Sequence, residues 1–227
     1  MIEISGYRSS IFPPVDSADE NGIVAFSRTL NCRMLADAYF HGIFPWPWDE
    51  NSPIPWMFPP ERGVLMPEDF HIPKSLAREL KKSDFYLTVD QDFEAVITAC
   101  AQTPRPGQDA TWITPEIIKV YSEFHRLGFA HSFECRTPTG ELAGGLYGIS
   151  IGRIFCGESM FYRLPGASKF ALVKAMEIFR KLQIKVIDTQ MVTTITALFG
   201  AKLIPGNEYL ALLNKYRGEP IKTFSLD

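Results

Sequence analysis

The chain has 227 residues, enough for one large domain or two unequal ones, and its 46% apolar and 22% charged content, without low-complexity tracts or repeats, excludes a disordered or fibrous protein. A formal net charge of −3 excludes a globally basic nucleic-acid binder, so any such surface must be a local patch. No apolar run approaches bilayer length, the N-terminus MIEISGYRSS lacks the pattern of a signal peptide, and the four cysteines show no C-x-x-C spacing, so free thiols and a cytoplasmic location are expected.

Residues 1–62 differ in composition from the rest. A helix is predicted over Cys32–His41, with Asn31 as N-cap and Gly42 as the stop. The following stretch, GIFPWPWDENSPIPWMFPPERG, is dense in proline, which removes amide donors and fixes φ; it reads as an ordered loop without strands or helices. Trp46, Trp48 and Trp56 within it either plug the seam to the remainder of the chain or offer a stacking platform for a base; the composition favours the plug.

Beyond Arg62 helical and strand periods alternate. Gly63–Met66 reads as a short strand, and Pro73–Lys82 as a helix with Leu76 and Leu80 inward. Its outward residues, Lys74, Arg78, Lys81 and Lys82, are either a solvated face or the best local basic patch in an acidic protein. A strand at Tyr86–Asp90, a helix at Asp92–Gln102 and a Pro/Gly loop at Thr103–Ala110 come next. Thr114–Pro115 supplies an N-cap and N1 proline for a helix reaching Leu127. Strands at Ala130–Thr137, Leu142–Ile151 and Ile154–Tyr162 form an antiparallel meander. A long helix over Ala167–Leu182, a strand at Lys185–Met191, a short helix ending near Gly200 and a final helix around Glu208–Tyr216 complete an α+β pattern.

Chemistry gathers in two places. Gly157–Glu158 interrupts the apolar strand Ile154–Tyr162, where a glycine marks a bulge or a close approach and a carboxylate needs a partner. Glu158 is either an edge-strand side chain in solvent or part of a site. In IKVIDTQMV, Asp188 and Gln190 stand two apart on a strand and hence on one face. If these strands are neighbours, Glu158, Asp188 and Gln190 converge; two carboxylates and an amide suit a reaction whose electrophile is already activated. The four histidines form no metal-ligand spacing, so neither a metal nor a cofactor is expected. RLPGAS (163–168), between a strand and a helix, has the layout with which acyl-CoA-dependent N-acyltransferases wrap a pyrophosphate on backbone amides.

GIFPW (42–46), TWIT (111–114), AHSFE (130–134), GGLYG (144–148), FCGESMF (155–161), ASK (167–169) and IDTQ (187–190), in this order, resemble the bacterial leucyl/phenylalanyl-tRNA–protein transferases over nearly the whole length. The resemblance implies a small N-terminal domain (1–62) and an acetyltransferase-like catalytic domain (63–227). The implied activity moves leucine or phenylalanine from aminoacyl-tRNA to proteins beginning with arginine or lysine, which marks them for degradation. By matching positions, Glu158 and Gln190 are expected to orient the acceptor N-terminus, and Asp188 to orient Gln190. Leu146, Phe155, Met160 and Leu172 are expected to line the side-chain pocket beside Gly157, and Trp46 and Trp112 to flank the terminal adenosine. Lys74, Arg78, Lys81 and Lys82 would meet acceptor-stem phosphates. Departures from the family pattern fall at Phe26–Leu30, Thr193–Ile195, Ala175 and Ala77. Two alternatives stay open: an acyl-CoA-dependent N-acyltransferase and a tRNA-binding module without transfer.

Overall fold

The computed structural model describes residues 10–103, 111–221 and 224; most of the loop expected at Thr103–Ala110 lies outside them. Helix α1, Cys32–Phe40, begins as its sequence dictates, with the Asn31 side chain accepting the Met34 amide at 3.0 Å. It ends at Gly42, whose φ of 80° lets the chain reverse at no steric cost.

The proline-rich stretch is not a bare loop. Strands β1 (Ile23–Ser27), β2 (Phe44–Pro45) and β3 (Ile54–Met57) form a three-stranded antiparallel sheet in the order β1-β3-β2. The expectation of a loop without elements fails because proline withholds only a donor. The Pro55 carbonyl still accepts the Trp46 amide at 2.9 Å, and Pro55 sits opposite Phe26 in the β1 ladder. Trp56 is completely buried, packs on Phe12 and donates its indole N–H to Ser27 Oγ at 2.8 Å, so this tryptophan is a plug; Trp48 stands exposed beside Phe26.

The large sheet has seven strands, in the order β10-β4-β9-β8-β7-β6-β5. These are β4 (Glu61–Leu65), β5 (Tyr86–Val89), β6 (Ala130–Arg136), β7 (Leu142–Ile151), β8 (Ile154–Tyr162), β9 (Val186–Gln190) and β10 (Lys202–Pro205). The meander β6-β7-β8 matches the apolar runs of the sequence, and Gly152 at φ 54° makes the β7–β8 turn. The remaining helices are α2 (Lys74–Leu80), α3 (Phe93–Gln102), α4 (Pro115–Arg126), α5 (Ala167–Lys181), α6 (Thr194–Leu198) and α7 (Gly206–Tyr216). The observed class is α+β. Thr114 caps α4 with Pro115 behind it, and Thr193 caps α6 through a reciprocal Thr193–Thr196 pair.

Each strand divides its side chains between two cores. On one face α1, α3, α4, α7 and the small sheet meet Tyr147, Ile149, Ile154 and Cys156; on the other, α5 meets Leu146 and Phe155. The core on the first face runs without a break from Phe12 through Trp56 to Leu213, so it joins the small sheet to the large one. Among the described residues no helix is long and apolar enough to cross a membrane.

Two irregularities open the sheet between β8 and β9. All pairings in the large sheet are antiparallel except β8–β9, which α5 connects as a crossover. That parallel ladder runs from Ile154↔Val186 to Cys156↔Asp188 and stops there, while β8 continues to Tyr162. Just where the strands part, both carry a bulge. Tyr147 pairs with Ser159 and Gly148 with Gly157, which leaves Glu158 as the extra residue; Gly63 pairs with Gln190 and Val64 with Asp188, which leaves Thr189.

Gly63 is fixed by this packing. A Cβ there would lie 2.5 Å from the Met191 carbonyl carbon, and backbone atoms cannot yield as a side-chain tip does. Gly63→Ala should therefore destabilise by about 1–3 kcal/mol, which lowers the melting temperature by roughly 2–12 °C in a chain of this size. Thermal unfolding followed by circular dichroism checks this; an unchanged midpoint would mean that the turn after Gln190 gives way freely.

Candidate active site

Asp188 is fully buried, and its carboxylate is saturated. Arg62 donates from Nε to Oδ1 at 2.8 Å and from Nη2 to Oδ2 at 2.7 Å, a side-on bidentate pair. Tyr209 Oη donates to Oδ2 at 2.8 Å, and the Gln190 backbone N–H to Oδ1 at 2.9 Å. The guanidinium lies between two rings, 4.6 Å from the centre of Phe44 and 4.4 Å from that of Tyr209. Burial acts to lower the Arg62 pKa, but the Asp188 carboxylate outweighs it and the net shift is upward, so the pair stays ionic. A carboxylate held in this way has no lone pair left for a substrate proton. Its effect is on Gln190, which takes a left-handed φ of 55° at the end of β9.

In that conformation Gln190 turns its side chain towards β8, and Nε2 donates to Glu158 Oε1 at 3.2 Å. Glu158, the bulge residue, is half-buried and faces the first core. Its pKa is pushed up to about 8, chiefly by burial, with the Asp188 charge adding to the rise and the Tyr39 hydroxyl, Arg62 and Gln190 pulling it back. Tyr39 is paired with Tyr121 at 2.7 Å between hydroxyls, and burial followed by the Glu158 charge raises both phenols. The neighbouring Cys156 thiol is raised by burial and then by Asp188 and Glu158, so it is an inert wall of the site.

The other expected residues surround this polar pair. Gly157 leaves the parting of β8 and β9 open: a Cβ there would have only the Asp188 carbonyl oxygen near it, at 3.8 Å. Leu146, Phe155, Met160 and Leu172 belong to the second core, on the face covered by α5, and Ala175 lies buried among them. They are therefore across the sheet from Glu158, and the parting of the strands lies between. Trp46 and Trp112 stack on each other, with ring centres 5.8 Å apart and planes 12° apart. Lys74 and Arg78 lie exposed on α2, and Lys81 and Lys82 lie exposed just past its end. RLPGAS has few donors to offer: the amides of Arg163, Leu164 and Ala167 already bond backbone carbonyls. That weakens the pyrophosphate cradle.

Sequence reasoning missed Arg62, Tyr209, Phe44, Tyr39 and Tyr121. Arg62 carried a usable signal, since a charge that begins the apolar run GVL must find an opposite charge if the strand is buried. The others carried none: an aromatic at helical spacing reads as core whether or not its hydroxyl has a task.

The raised Glu158 pKa couples stability to pH. The native state holds a proton on Glu158 between pH 4.5, the ordinary value, and about 8, whereas the unfolded chain releases it. Stability is thus lost progressively across that window as pH rises, and the loss is complete above it. Glu158→Gln keeps the shape and removes the ionisation. The variant should unfold at a higher temperature than the parent at pH 9 and at nearly the same temperature at pH 4, measured by thermal denaturation; a pH-independent difference would contradict a buried, proton-holding Glu158.

Comparison with known proteins gives the family. The family model described as leucyl/phenylalanyl-tRNA protein transferase matches residues 64–214. Curated proteins named leucyl/phenylalanyl-tRNA–protein transferase are similar over most of their length. That of Lawsonia intracellularis (strain PHE/MN1-00) is 46% identical over 202 residues, 89% of this chain and 88% of that protein. That of Anaeromyxobacter sp. (strain Fw109-5) is 46% identical over 213 residues, 94% and 90% respectively, and that of Myxococcus xanthus (strain DK1622) is 42% identical over 219 residues, 96% and 93%. Among solved structures, a GCN5-related glucosamine N-acetyltransferase region of a fungal protein gives a TM-score of 0.46 at 12% identity, over 81% of this chain and 23% of that one. With a family model matched over more than half its length and relatives this similar, the chain belongs to the leucyl/phenylalanyl-tRNA–protein transferase family.

Proposed function

We propose that this protein transfers leucine or phenylalanine from aminoacyl-tRNA to the α-amine of proteins that begin with arginine or lysine. The observation that carries the reading is the contact between Gln190 Nε2 and Glu158 Oε1 where β8 and β9 part, with the saturated Asp188 behind it. An aminoacyl ester is already activated, so the chain has only to position an amine and handle its proton. The amine nitrogen forms a bond to the ester carbonyl carbon, the bond from that carbon to the ribose oxygen breaks, and the proton shed by nitrogen ends on the ribose hydroxyl. An α-amine titrates at about 7.7–8.0. Glu158, in contact with Gln190, orients that amine at the parting of the strands. Gln190, a poor base, holds the amine in line.

In this reading the donor side chain enters the apolar group of Leu146, Phe155, Met160 and Leu172, with Gly157 letting its backbone pass between the strands. Trp46 and Trp112 take the terminal adenosine, which must slide beside or between rings that now stack on each other. Lys74, Arg78, Lys81 and Lys82 meet the acceptor-stem phosphates, the local basic patch that a chain of net charge −3 requires. Residues 1–62 then serve as a small domain carrying Trp46, and 63–227 as the catalytic domain. A charged tRNA as co-substrate places the work in the cytoplasm.

The test is transfer of labelled leucine from charged tRNA to a peptide with N-terminal arginine, beside the same peptide beginning with alanine. Label is expected on the arginine peptide alone; binding of tRNA without any product would leave a tRNA-binding module. For the basic helix end, replacing Lys81 and Lys82 together with alanine should weaken every charged tRNA about equally and lower the salt slope by roughly one unit per phosphate contact. Filter binding at several salt concentrations reads this, and a loss confined to one tRNA would remove this helix from the interface.

A further inference from the structure

We infer that Tyr209, acting through Asp188, is a positioning residue for transfer: it sets the turnover of the site without touching either substrate. The inference rests on the transferase reading above for its kinetic readout, and on the geometry for the rest. Asp188 holds the Gln190 backbone N–H, and the Gln190 side chain reaches Glu158; the backbone from which that side chain springs is therefore held in place by the Asp188 carboxylate. Three groups fix that carboxylate in addition to Gln190 itself: Arg62 Nε, Arg62 Nη2 and Tyr209 Oη.

The Arg62 pair is bidentate but does not fix the carboxylate alone, because an ion pair can slide and tilt in the guanidinium plane. Tyr209 removes both freedoms. Its hydroxyl holds Oδ2, and its ring lies 4.4 Å from the Arg62 guanidinium carbon, with the Phe44 ring 4.6 Å away. One side chain thus bonds the anion and stacks on the cation. Tyr209 is 1% exposed, and it sits on α7, far along the chain from both partners. A buried phenol is a costly choice if shape alone were required, since phenylalanine fills the same space. The strained residue it supports is specific: Gln190 is one of three described non-glycine residues at positive φ, and the only one of them in contact with Glu158.

Tyr209→Phe is the measurement, because it keeps the ring over Arg62 and the packing of the core. The transfer rate at saturating acceptor should fall about tenfold, the order of one hydrogen bond to a charged group. The acceptor KM and the Kd for charged tRNA should each stay within about twofold, since neither substrate loses a contact. In a Gln190→Ala background the same substitution should cost nothing further, because the two act as a unit. Hydrogen–deuterium exchange of the peptide covering 187–192 should quicken in Tyr209→Phe while the peptides of β6 and β7 are unchanged, and this readout does not depend on activity. If the parent protein transfers leucine but Tyr209→Phe is equally fast, or if the losses in the two backgrounds simply add, Tyr209 is only a core residue. If the parent does not transfer leucine at all, the transferase reading fails, and the exchange rates alone decide whether Tyr209 holds Gln190: unchanged exchange at 187–192 overturns the inference.

Discussion

The buried ion pair between Arg62 and Asp188 is the constraint around which the site is arranged. Taking both charges out of water costs several kcal/mol each, and their attraction repays that only when the remaining hydrogen-bonding capacity is met. Here Tyr209 and the Gln190 amide complete the carboxylate, and two aromatic faces cover the cation, whose Nη1 is left without a hydrogen-bond partner. The pair also ties together parts of the chain that are remote in sequence: β2 of the small sheet through Phe44, β4 through Arg62, β9 through Asp188 and α7 through Tyr209. Removing Arg62 or Asp188 leaves a charge without its partner in the core.

The two carboxylates of the site meet different surroundings. Asp188 and Glu158 lie near enough for the first to raise the pKa of the second, yet they are treated oppositely by their surroundings. Asp188 has a bidentate arginine and two further donors, whereas Glu158 has burial, one amide and a phenol. The two carboxylates are thereby set apart: Asp188 accepts four hydrogen bonds, whereas the pKa of Glu158 is pushed up to about 8, chiefly by burial. The bulge at Glu158 matters because it takes this side chain out of the regular alternation of β8, and the bulge at Thr189 does the same for the end of β9. The parallel ladder stops at Cys156↔Asp188, so the strands part just beyond it, next to both bulges.

Much of this is legible in the residues alone. The meander, the long crossover helix and the capped helices come from local chemistry: runs of apolar residues bounded by turns, Asn31 and Thr114 ahead of helical periods, Pro115 at N1. Glu158, Asp188 and Gln190 stand out because each interrupts an apolar strand, and polar groups in such places need partners. The small sheet is not legible, since prolines and tryptophans crowded into one stretch look like a loop until the partner strand β1 supplies the ladder. Nor is the clamp on Asp188, for a tyrosine on a helix announces burial but not what its hydroxyl reaches.

The sequence by itself determined the class of fold, the family through its ordered motifs, and three polar residues that interrupt apolar strands and need partners. Those properties are local or additive: periodicity, capping, composition, and residue types that cannot be buried without reason. Only the tertiary structure decided how differently the two carboxylates are surrounded, which aromatic residues lie against them, and that the apolar group of Leu146, Phe155, Met160 and Leu172 lies across the sheet from Glu158. The reason is physical. A pKa, a saturated carboxylate and an opening between strands depend on groups brought together from distant segments by strand order and register, and a single sequence does not state which of its segments will be neighbours.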